Sequence, residues 1–318
     1  MIDLLIQTTK NEPTPLVGII TRTKDRPLML DRAMRSVLSQ TIDDWQHVIV
    51  NDGGAIEPVL TLAKRYEHVY AGRLAVVSIG TSVGMEAASN IGLSNSSSRY
   101  VLIHDDDDTL EPAFLAQATR LLSDPPNRLV RGVVSLSTLI NEAVDTDQIR
   151  PLGRSLYRSL SGCIRIDHIA AVNQFPPIAF LYERSVLNEI GTYDDSLPVL
   201  GDWDFNLRFL ARYEIAVIEE PLSNYHHRPG SRDARTGNSL FANQPQHRLY
   251  DSILRNRYLR SGDATLRAIG QLMADRPSGP TSRPSNARFD AFYRVPGAAA
   301  TIRWFRRHGM LLRLTRDV

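Results

Sequence analysis

The chain has few of the features that mark secreted, membrane-spanning or nucleic-acid-binding proteins. It contains one cysteine, Cys163, so an internal disulfide and a thiolate zinc cluster are both excluded. No apolar run approaches the about 20 residues of a transmembrane helix, and the N-terminus lacks the basic start and apolar core of a signal peptide. The net charge of +2 gives no reason to expect a nucleic-acid partner. We therefore expect a cytoplasmic protein.

A glycine-rich phosphate loop is also missing after the first predicted strand. Residues 16–20 form that strand, and Thr-Arg-Thr-Lys-Asp-Arg-Pro follows it at 21–27. Dinucleotide-binding dehydrogenases carry Gly-x-Gly-x-x-Gly at this point, and nucleotidyltransferases carry another glycine-rich loop. Both classes are therefore disfavoured. A hydrophobic content of 42% is nevertheless enough for 318 residues to bury a large core.

Strands alternate with helical stretches in the first part of the chain. The alternation predicts the α/β class, with a mainly parallel sheet and right-handed crossovers. Ligands bind such sheets at the carboxyl ends of the strands, and polar clusters at 21–26, 51–54 and 105–108 follow three of the strands. The predicted strands are 16–20, 47–50, 74–79 and 100–103, and the predicted helices are 27–40, 56–68, 85–94 and 110–122.

The alternation of predicted strands and helices becomes less regular after residue 122. Residues 129–140 predict another strand, whereas 141–163 are polar and irregular. A short helix from about 183 that ends at Gly191 is predicted next, followed by a helix over 201–213 and a strand over 214–220. Residues 240–273 are also predicted to be helical.

These patterns predict one domain over 1–235 and a helical C-terminal extension over 236–318. A Pro/Ser linker is expected near 276–288. The tail at 301–316 alternates arginines with large apolar residues, which is a basic amphipathic pattern. It would cover its own core, pack on a partner domain, or lie peripherally on the inner face of a membrane.

The run His-Asp-Asp-Asp-Asp-Thr at 104–109 is the strongest chemical signal. Four carboxylates this close raise each other's pKa unless a cation neutralises them. Mg2+ or Mn2+ takes oxygen ligands and keeps positions open for substrate phosphates. The run therefore predicts a metal that holds a diphosphate. Asp108 or Thr109 would in addition cap the helix predicted at 110–122, a task that needs only one carboxylate.

Taken in order, the motifs resemble those of the family 2 glycosyltransferases of the GT-A fold. The resemblance covers about 16–230. It implies a Rossmann-like α/β domain that transfers a sugar, with inversion, from a nucleotide diphosphosugar to a hydroxyl of a glycan or lipid-linked acceptor. The expected nucleotide is UDP or dTDP, and the expected cofactor is Mn2+ or Mg2+. The expected pathway is bacterial surface polysaccharide synthesis. The motifs are TRTKDRP, NDGG at 51–54, GMEAASNIGLSNSSSRYVLIHDDDDTLEP at 84–112, and GDWDFNLRF at 201–209.

The resemblance assigns a set of residues to the donor. Residues 21–23 would meet the nucleotide, Asp52 would hydrogen-bond the base, and the helix start after Gly84 would lie near the nucleotide. Asp105 would face the ribose or the sugar. The donor-side residues are Thr21, Arg22, Thr23, Asp52, Gly84, Asn90, Asp105 and Asp106.

The same resemblance assigns Asp107 and Asp108 to the metal, with Asp107 as the better ligand. Asp105 and Asp107 match the outer positions of the family's Asp-x-Asp motif, and Asp106 and Asp108 form a second Asp-x-Asp. Both registers remain open.

Two histidines follow a later strand, and His227 is the third expected metal ligand. His226 and His227 are adjacent on an extended segment, so they point in opposite directions and at most one can serve. The alternatives are a pair of solvated loop histidines, or Arg228 or Arg232 as the partner of phosphate oxygens.

Asp202 falls at the position of the family's general base. The family usually has a Glu-Asp pair here, and this chain has Gly201 in place of the Glu, so Asp204 would take over the acceptor role. Trp203 would either stack on the acceptor sugar or belong to the core. Two alternatives remain: Asp202 as a helix N-cap, and the whole domain as a degenerate, non-catalytic module that binds a partner or glycan.

Overall fold

A computed structural model describes residues 2–6, 14–145, 148–231, 236–238 and 243–275. These residues form a mixed sheet of ten strands that is covered by helices. The strands are β1 (Ile2–Ile6), β2 (Val17–Thr23), β3 (Trp45–Asp52), β4 (Leu74–Ile79), β5 (Tyr100–Asp105), β6 (Thr109–Leu110), β7 (Val130–Asp145), β8 (Gln148–Leu156), β9 (Phe180–Glu183) and β10 (Glu214–His227).

The helices cover both faces of the sheet. Two separate groups of buried apolar side chains result, one on each side, as expected when a parallel sheet is enclosed. The helices are α1 (Pro27–Leu38), α2 (Glu57–Tyr70), α3 (Met85–Ser94), α4 (Phe114–Ser123), α5 (Ile166–Ala171), α6 (Leu187–Ile190), α7 (Gly201–Leu210), α8 (Gln244–Leu259) and α9 (Ala264–Asp275).

Four parallel strands, in the order β4-β3-β2-β5, form the part of the sheet that was predicted from the sequence. In the register of these strands, Thr21 of β2 lies beside Ile49 of β3 and His104 of β5. Arg22 lies beside Asp105 in the same way. The polar residues that end β2, β3 and β5 therefore meet at one edge of the sheet.

Two sequence predictions about local structure are wrong. Residues 148–156 were expected to be irregular but form β8, which pairs antiparallel with β7. The sequence gives little sign of this strand because most of its residues are exposed. Helix α4 begins at Phe114 rather than 110, with Ala113 at its N-cap, so neither Asp108 nor Thr109 caps it. Thr109 and Leu110 instead pair with β10.

Helices α8 and α9 pack on the sheet domain. Leu254, Tyr258, Ile269 and Met273 are buried in the same apolar group as residues of the sheet. The described residues up to Asp275, with α8 and α9 among them, belong to one compact unit. The predicted linker at 276–288 and the amphipathic tail lie outside the described residues. No helix in the described ranges is long and apolar enough to cross a bilayer.

A glycine in β7 allows two aromatic rings to pack closely against the sheet. A Cβ at Gly132 would lie 2.6 Å from Phe180 and 2.9 Å from Phe209, whose rings already pack edge to face with centroids 5.2 Å apart. We expect Gly132→Ala to lower the free energy of unfolding by about 1–3 kcal/mol through overpacking. Gly153→Ala in β8, where nothing lies within 4 Å, is the matched control. Urea denaturation of both variants tests this, and equal stability would contradict it.

Candidate active site

The carboxyl ends of β2, β3 and β5 open into a cavity of about 340 Å³. This volume lies in the range of pockets that hold small ligands. Eight residues assigned to the donor or the metal line the cavity, namely Arg22, Thr23, Asp52, Gly84, Asp105, Asp106, Asp107 and Asp108. The other lining residues are Lys24, Arg26, Ser82, Met85, Ala88, Pro198, Tyr225 and Asn238.

Arginines from the chain itself neutralise the acidic run. The Arg22 guanidinium donates to Asp105, and Arg26 Nη1 lies 3.2 Å from Asp106 Oδ1 and 3.4 Å from Asp107 Oδ2. Thr23 Oγ1 donates to Asp106 at 2.7 Å. The sequence predicted that cations must balance these carboxylates, and in this structure guanidinium groups provide that charge.

The ion pair of Asp107 extends into a buried network. Arg228, which is 1% exposed, donates to Asp107 through Nη2 and to Glu142 Oε1 through Nη1 at 2.6 Å. Arg32 donates to Glu142 Oε2 at 2.7 Å and to the carbonyl oxygen of Asp107 at 2.6 Å. Burial alone would raise the pKa of Asp107, yet Arg228 and Arg26 hold this pKa below its ordinary value.

Asp108 is the least satisfied member of the run. Its Oδ1 accepts a hydrogen bond from the backbone N–H of His226 at 2.8 Å. Its Oδ2 is buried and has no hydrogen-bond partner among the described residues. Burial, together with the neighbouring Asp107 and Asp105, raises the pKa of this carboxyl well above its ordinary value. An unpaired buried oxygen of this kind is costly unless a cation or another donor reaches it.

The donor set fits a hard divalent ion in part. Carboxylate oxygens at the end of β5, with the unpaired Asp108 Oδ2 among them, are the ligands that Mg2+ and Mn2+ prefer. Within the described ranges, no three acidic, histidine or cysteine side chains converge on one point. Mg2+ is usually held by one or two carboxylates and completes its coordination with waters and phosphates. The oxygens therefore suit an ion that binds together with a diphosphate rather than one held by protein alone.

The two histidines at the end of β10 are buried rather than solvated. His226 Nδ1 lies 2.8 Å from Glu142 Oε2 and its Nε2 lies 3.0 Å from Thr109 Oγ1, so both ring nitrogens are engaged. The His227 ring packs edge-on to Tyr225 with centroids 4.2 Å apart. Burial lowers the pKa of His227 to about 4, which keeps the imidazole neutral and able to bind a metal.

Three donor-side residues form contacts within the chain. Asp52 accepts hydrogen bonds from Ser82 Oγ at 2.7 Å, from the Val83 N–H at 2.7 Å and from the Gly84 N–H at 3.2 Å, which fixes the loop before α3. The Thr21 hydroxyl is fully buried between two histidine rings. The Asn90 side chain bridges the backbone of Tyr193. Of these three, only Asp52 lines the cavity.

The predicted base occupies the first turn of α7. Leu200 is the N-cap of this helix, so the N-cap interpretation of Asp202 is wrong. Asn173 Nδ2 donates to Asp202 Oδ2 at 2.7 Å. Burial, assisted by the charge of Asp105, raises the pKa of Asp202 to about 6. Asp202 lies within electrostatic reach of cavity residues, although it does not itself line the cavity.

The two acceptor-side residues next to Asp202 face elsewhere. Trp203 is buried and its indole N–H donates to the Ile169 carbonyl at 2.7 Å, which identifies it as a core residue. Asp204 is 3% exposed and accepts from Arg208 Nε at 2.8 Å and from the Tyr258 hydroxyl at 3.1 Å. The structure therefore does not bring Asp204 to the cavity.

Five charged residues near the site were not assigned from the sequence. Lys24 and Arg26 stand within the TRTKDRP motif, and their position was the only available signal. Arg32 lies on α1, and Glu142 falls in the segment that was expected to be irregular. Glu86 lies in the motif around α3 and is 4% exposed.

The acidic run at the sheet edge faces a cavity that can hold a small ligand, as the resemblance to the family 2 glycosyltransferases of the GT-A fold implies. Residues 18–153 match the family described as glycosyl transferase family 2. A Bacillus subtilis protein named uncharacterized glycosyltransferase YwdF is 24% identical over 64% of this chain and 70% of its own length. A Mycobacterium bovis PGL/p-HBAD biosynthesis glycosyltransferase is 27% identical over 61% and 69%.

Solved glycosyltransferases share the fold. A mannosyltransferase from Pyrobaculum calidifontis, solved with GDP-Man and Mn2+, gives a TM-score of 0.59 at 15% identity over 97% of this chain and 84% of that one. S. aureus TarS 1-349 with UDP-GlcNAc gives 0.56 at 17% identity over 82% and 71%. The match to a longer S. aureus TarS chain spans 42% of that chain.

These comparisons confirm the predicted resemblance and the GT-A fold. The prediction that the protein is a glycosyltransferase enzyme is confirmed as well.

The buried Arg228 network yields a stability prediction. Arg228→Met would leave Asp107 and Glu142 as buried carboxylates without their shared cation. We expect the free energy of unfolding to fall by about 3–5 kcal/mol. Arg35→Met, which removes an exposed helix pair with Asp31, is the control and should change it by about 0–1 kcal/mol. Equal losses in urea denaturation would show that the network contributes no more than a surface pair.

Proposed function

We propose that the protein is an inverting, metal-dependent glycosyltransferase that moves a sugar from a nucleotide diphosphosugar, with UDP or dTDP as nucleotide, to a hydroxyl of a glycan or lipid-linked acceptor. The observation that carries this proposal is the acidic run at the end of β5, which faces the cavity beside Arg22 and Arg26. Two solved neighbours support a nucleotide-sugar donor, since one was solved with GDP-Man and the other with UDP-GlcNAc. A role in bacterial surface glycan or glycolipid synthesis is proposed from the named relatives.

Cationic residues of the cavity would bind the donor's diphosphate. Lys24 and Arg26 line the cavity next to the acidic run, and a guanidinium can hold a phosphate with two parallel hydrogen bonds. Asp107 and Asp108 would hold the divalent ion, which when bound neutralises the charge that develops on the leaving diphosphate. The Asp52 carboxylate keeps the loop over the cavity in place.

Asp202 would act as the general base. In one displacement, the acceptor oxygen forms a bond to the anomeric carbon, the bond to the diphosphate oxygen breaks, and the acceptor proton passes to the Asp202 carboxylate. Attack opposite the leaving group inverts the configuration, so no protein nucleophile is needed. A pKa raised to about 6 makes this carboxylate a stronger proton acceptor than an ordinary aspartate.

A non-catalytic binding domain is the second candidate. It is favoured by the guanidinium of Arg228, which already pairs with the carboxylate proposed as the best metal ligand. Asp202 is also not among the residues that line the cavity. In this alternative the domain binds a nucleotide or glycan without transfer.

Nucleotide-binding measurements can show which base the donor carries and whether binding depends on the metal. A thermal-shift panel of UDP, dTDP, GDP and CMP, each with and without Mn2+, should give a metal-dependent rise in Tm with one diphosphate, because a ligand of the native state stabilises it by mass action. Asp107→Asn should abolish the metal-dependent part, whereas Asp43→Asn at an exposed site should retain it. A shift that is equal with and without Mn2+ would refute metal dependence.

The pH dependence of transfer tests the base. A base must be deprotonated, so kcat/KM of the wild type should rise with pH through about 6 and become flat above it. Asp202→Asn should lower kcat by at least about 100-fold and leave the nucleotide thermal shift unchanged. Full activity of this variant would exclude Asp202 as the base, and loss of the thermal shift would indicate misfolding instead.

A further inference from the structure

Gly201 opens α7, and the side chain of Glu86 fills the space where a side chain of residue 201 would lie. A Cβ built on Gly201 would be 2.5 Å from Cγ and 2.6 Å from Oε1 of Glu86. These separations are shorter than real Cβ contacts, so any larger residue at 201 would have to displace Glu86. The two positions therefore share one side-chain space, although they are far apart in the sequence.

Glu86 is a costly residue to bury here. It is 4% exposed, its Oε2 has no hydrogen-bond partner among the described residues, and Arg22 Nη1 lies 3.7 Å from that oxygen. The charged groups that face it are Arg22 from β2, Asp105 from β5, and Asp202 and Asp204 from α7. Burial raises the pKa of Glu86 to about 8. An alanine would avoid this cost, so packing alone does not account for a carboxyl group at this point.

The position of Glu86 connects the acidic run to the predicted base. Arg22 donates to Asp105, to Ser89 Oγ at 3.1 Å and to the Met85 carbonyl at 3.3 Å, and it also faces Glu86. Arg22 is thereby held between the end of β5 and the first turn of α3. The carboxyl group of Glu86 in turn contacts the backbone directly before Asp202.

We propose that Glu86 is a positioning residue for sugar transfer, whose carboxyl group fixes Arg22 and the first turn of α7 and so aligns Asp202 with the acceptor. The proposal rests on the proposed function. Asp204, which was predicted to replace the family's Glu at 201, does not do so, because Arg208 and Tyr258 hold its carboxylate on another side of α7. Glu86 does not line the cavity, so it acts through Arg22 and Asp202.

The space shared by Glu86 and residue 201 can be tested by stability measurements, which do not depend on enzyme activity. Gly201→Ala should lower Tm by several degrees in the wild-type background, because its Cβ collides with Glu86. In the Glu86→Ala background the same change should have little effect, since the space is then open. Coupling between neighbouring sites appears as non-additivity in such a cycle. Additive shifts in Tm would overturn the placement of Glu86.

The role is tested by moving the carboxyl group. Glu86→Gln keeps the shape and loses the acid, and it should lower kcat by about tenfold or more with a donor KM near that of the wild type. The double variant Glu86→Ala/Gly201→Glu places a carboxyl group in the same space from the first turn of α7, where an acid is favourable. Its kcat should recover to within about threefold of the wild-type value. A residue that only fills space would show neither the loss nor the recovery.

The outcomes separate the two proposals. An inactive wild type with every donor would refute the proposed function, and the Tm cycle would then still decide the placement of Glu86. An active wild type with full kcat in Glu86→Gln would overturn the positioning role alone. A double variant that melts like the wild type but has no more activity than Glu86→Ala would also overturn it.

Discussion

The structure depends on the balance between the carboxylates at the end of β5 and the arginines that surround them. Four adjacent acids could not be packed at a sheet edge without cations, because each would raise the pKa of the next. Arg22, Arg26 and Arg228 come from β2, from the residue before α1 and from the end of β10. Elements that are distant in the sequence therefore meet at the acidic run, and the cavity forms where they meet.

This balance of carboxylates and arginines is suited to a site that binds an anionic ligand. Buried ion pairs contribute little net stability because desolvation offsets their attraction, but an unpaired partner is costly. A guanidinium that leaves a carboxylate can pair with phosphate oxygens, provided that a cation takes its place at the carboxylate. Arg26 borders the cavity and pairs with both Asp106 and Asp107. A diphosphate and a divalent ion bound together would satisfy both sets of groups.

The sequence predicted the part of the fold that periodicity and local motifs determine. The apolar runs at 16–20, 47–50, 74–79 and 100–103 became β2 to β5, and the acidic run lies at the expected edge. The strand β8 was missed because its exposed residues lack an apolar alternation. The pairs Asp107–Arg228 and Glu86–Gly201 could not be predicted, since no local pattern links such distant positions. Helix geometry also argues against Asp204 as a partner of Asp202, because residues i and i+2 of a helix do not share a face.

Helix α7 shows how the C-terminal helices contribute to the site. Asp202 is held by Asn173 on one side, whereas Asp204 accepts from the Tyr258 hydroxyl of α8. Tyr258 is also buried in the apolar group that contains Phe205 and Phe209 of α7. The Asp204 carboxylate thus links α7 to α8 and does not line the cavity. The space beside Gly201 in the first turn of α7 is instead filled by the side chain of Glu86 from α3.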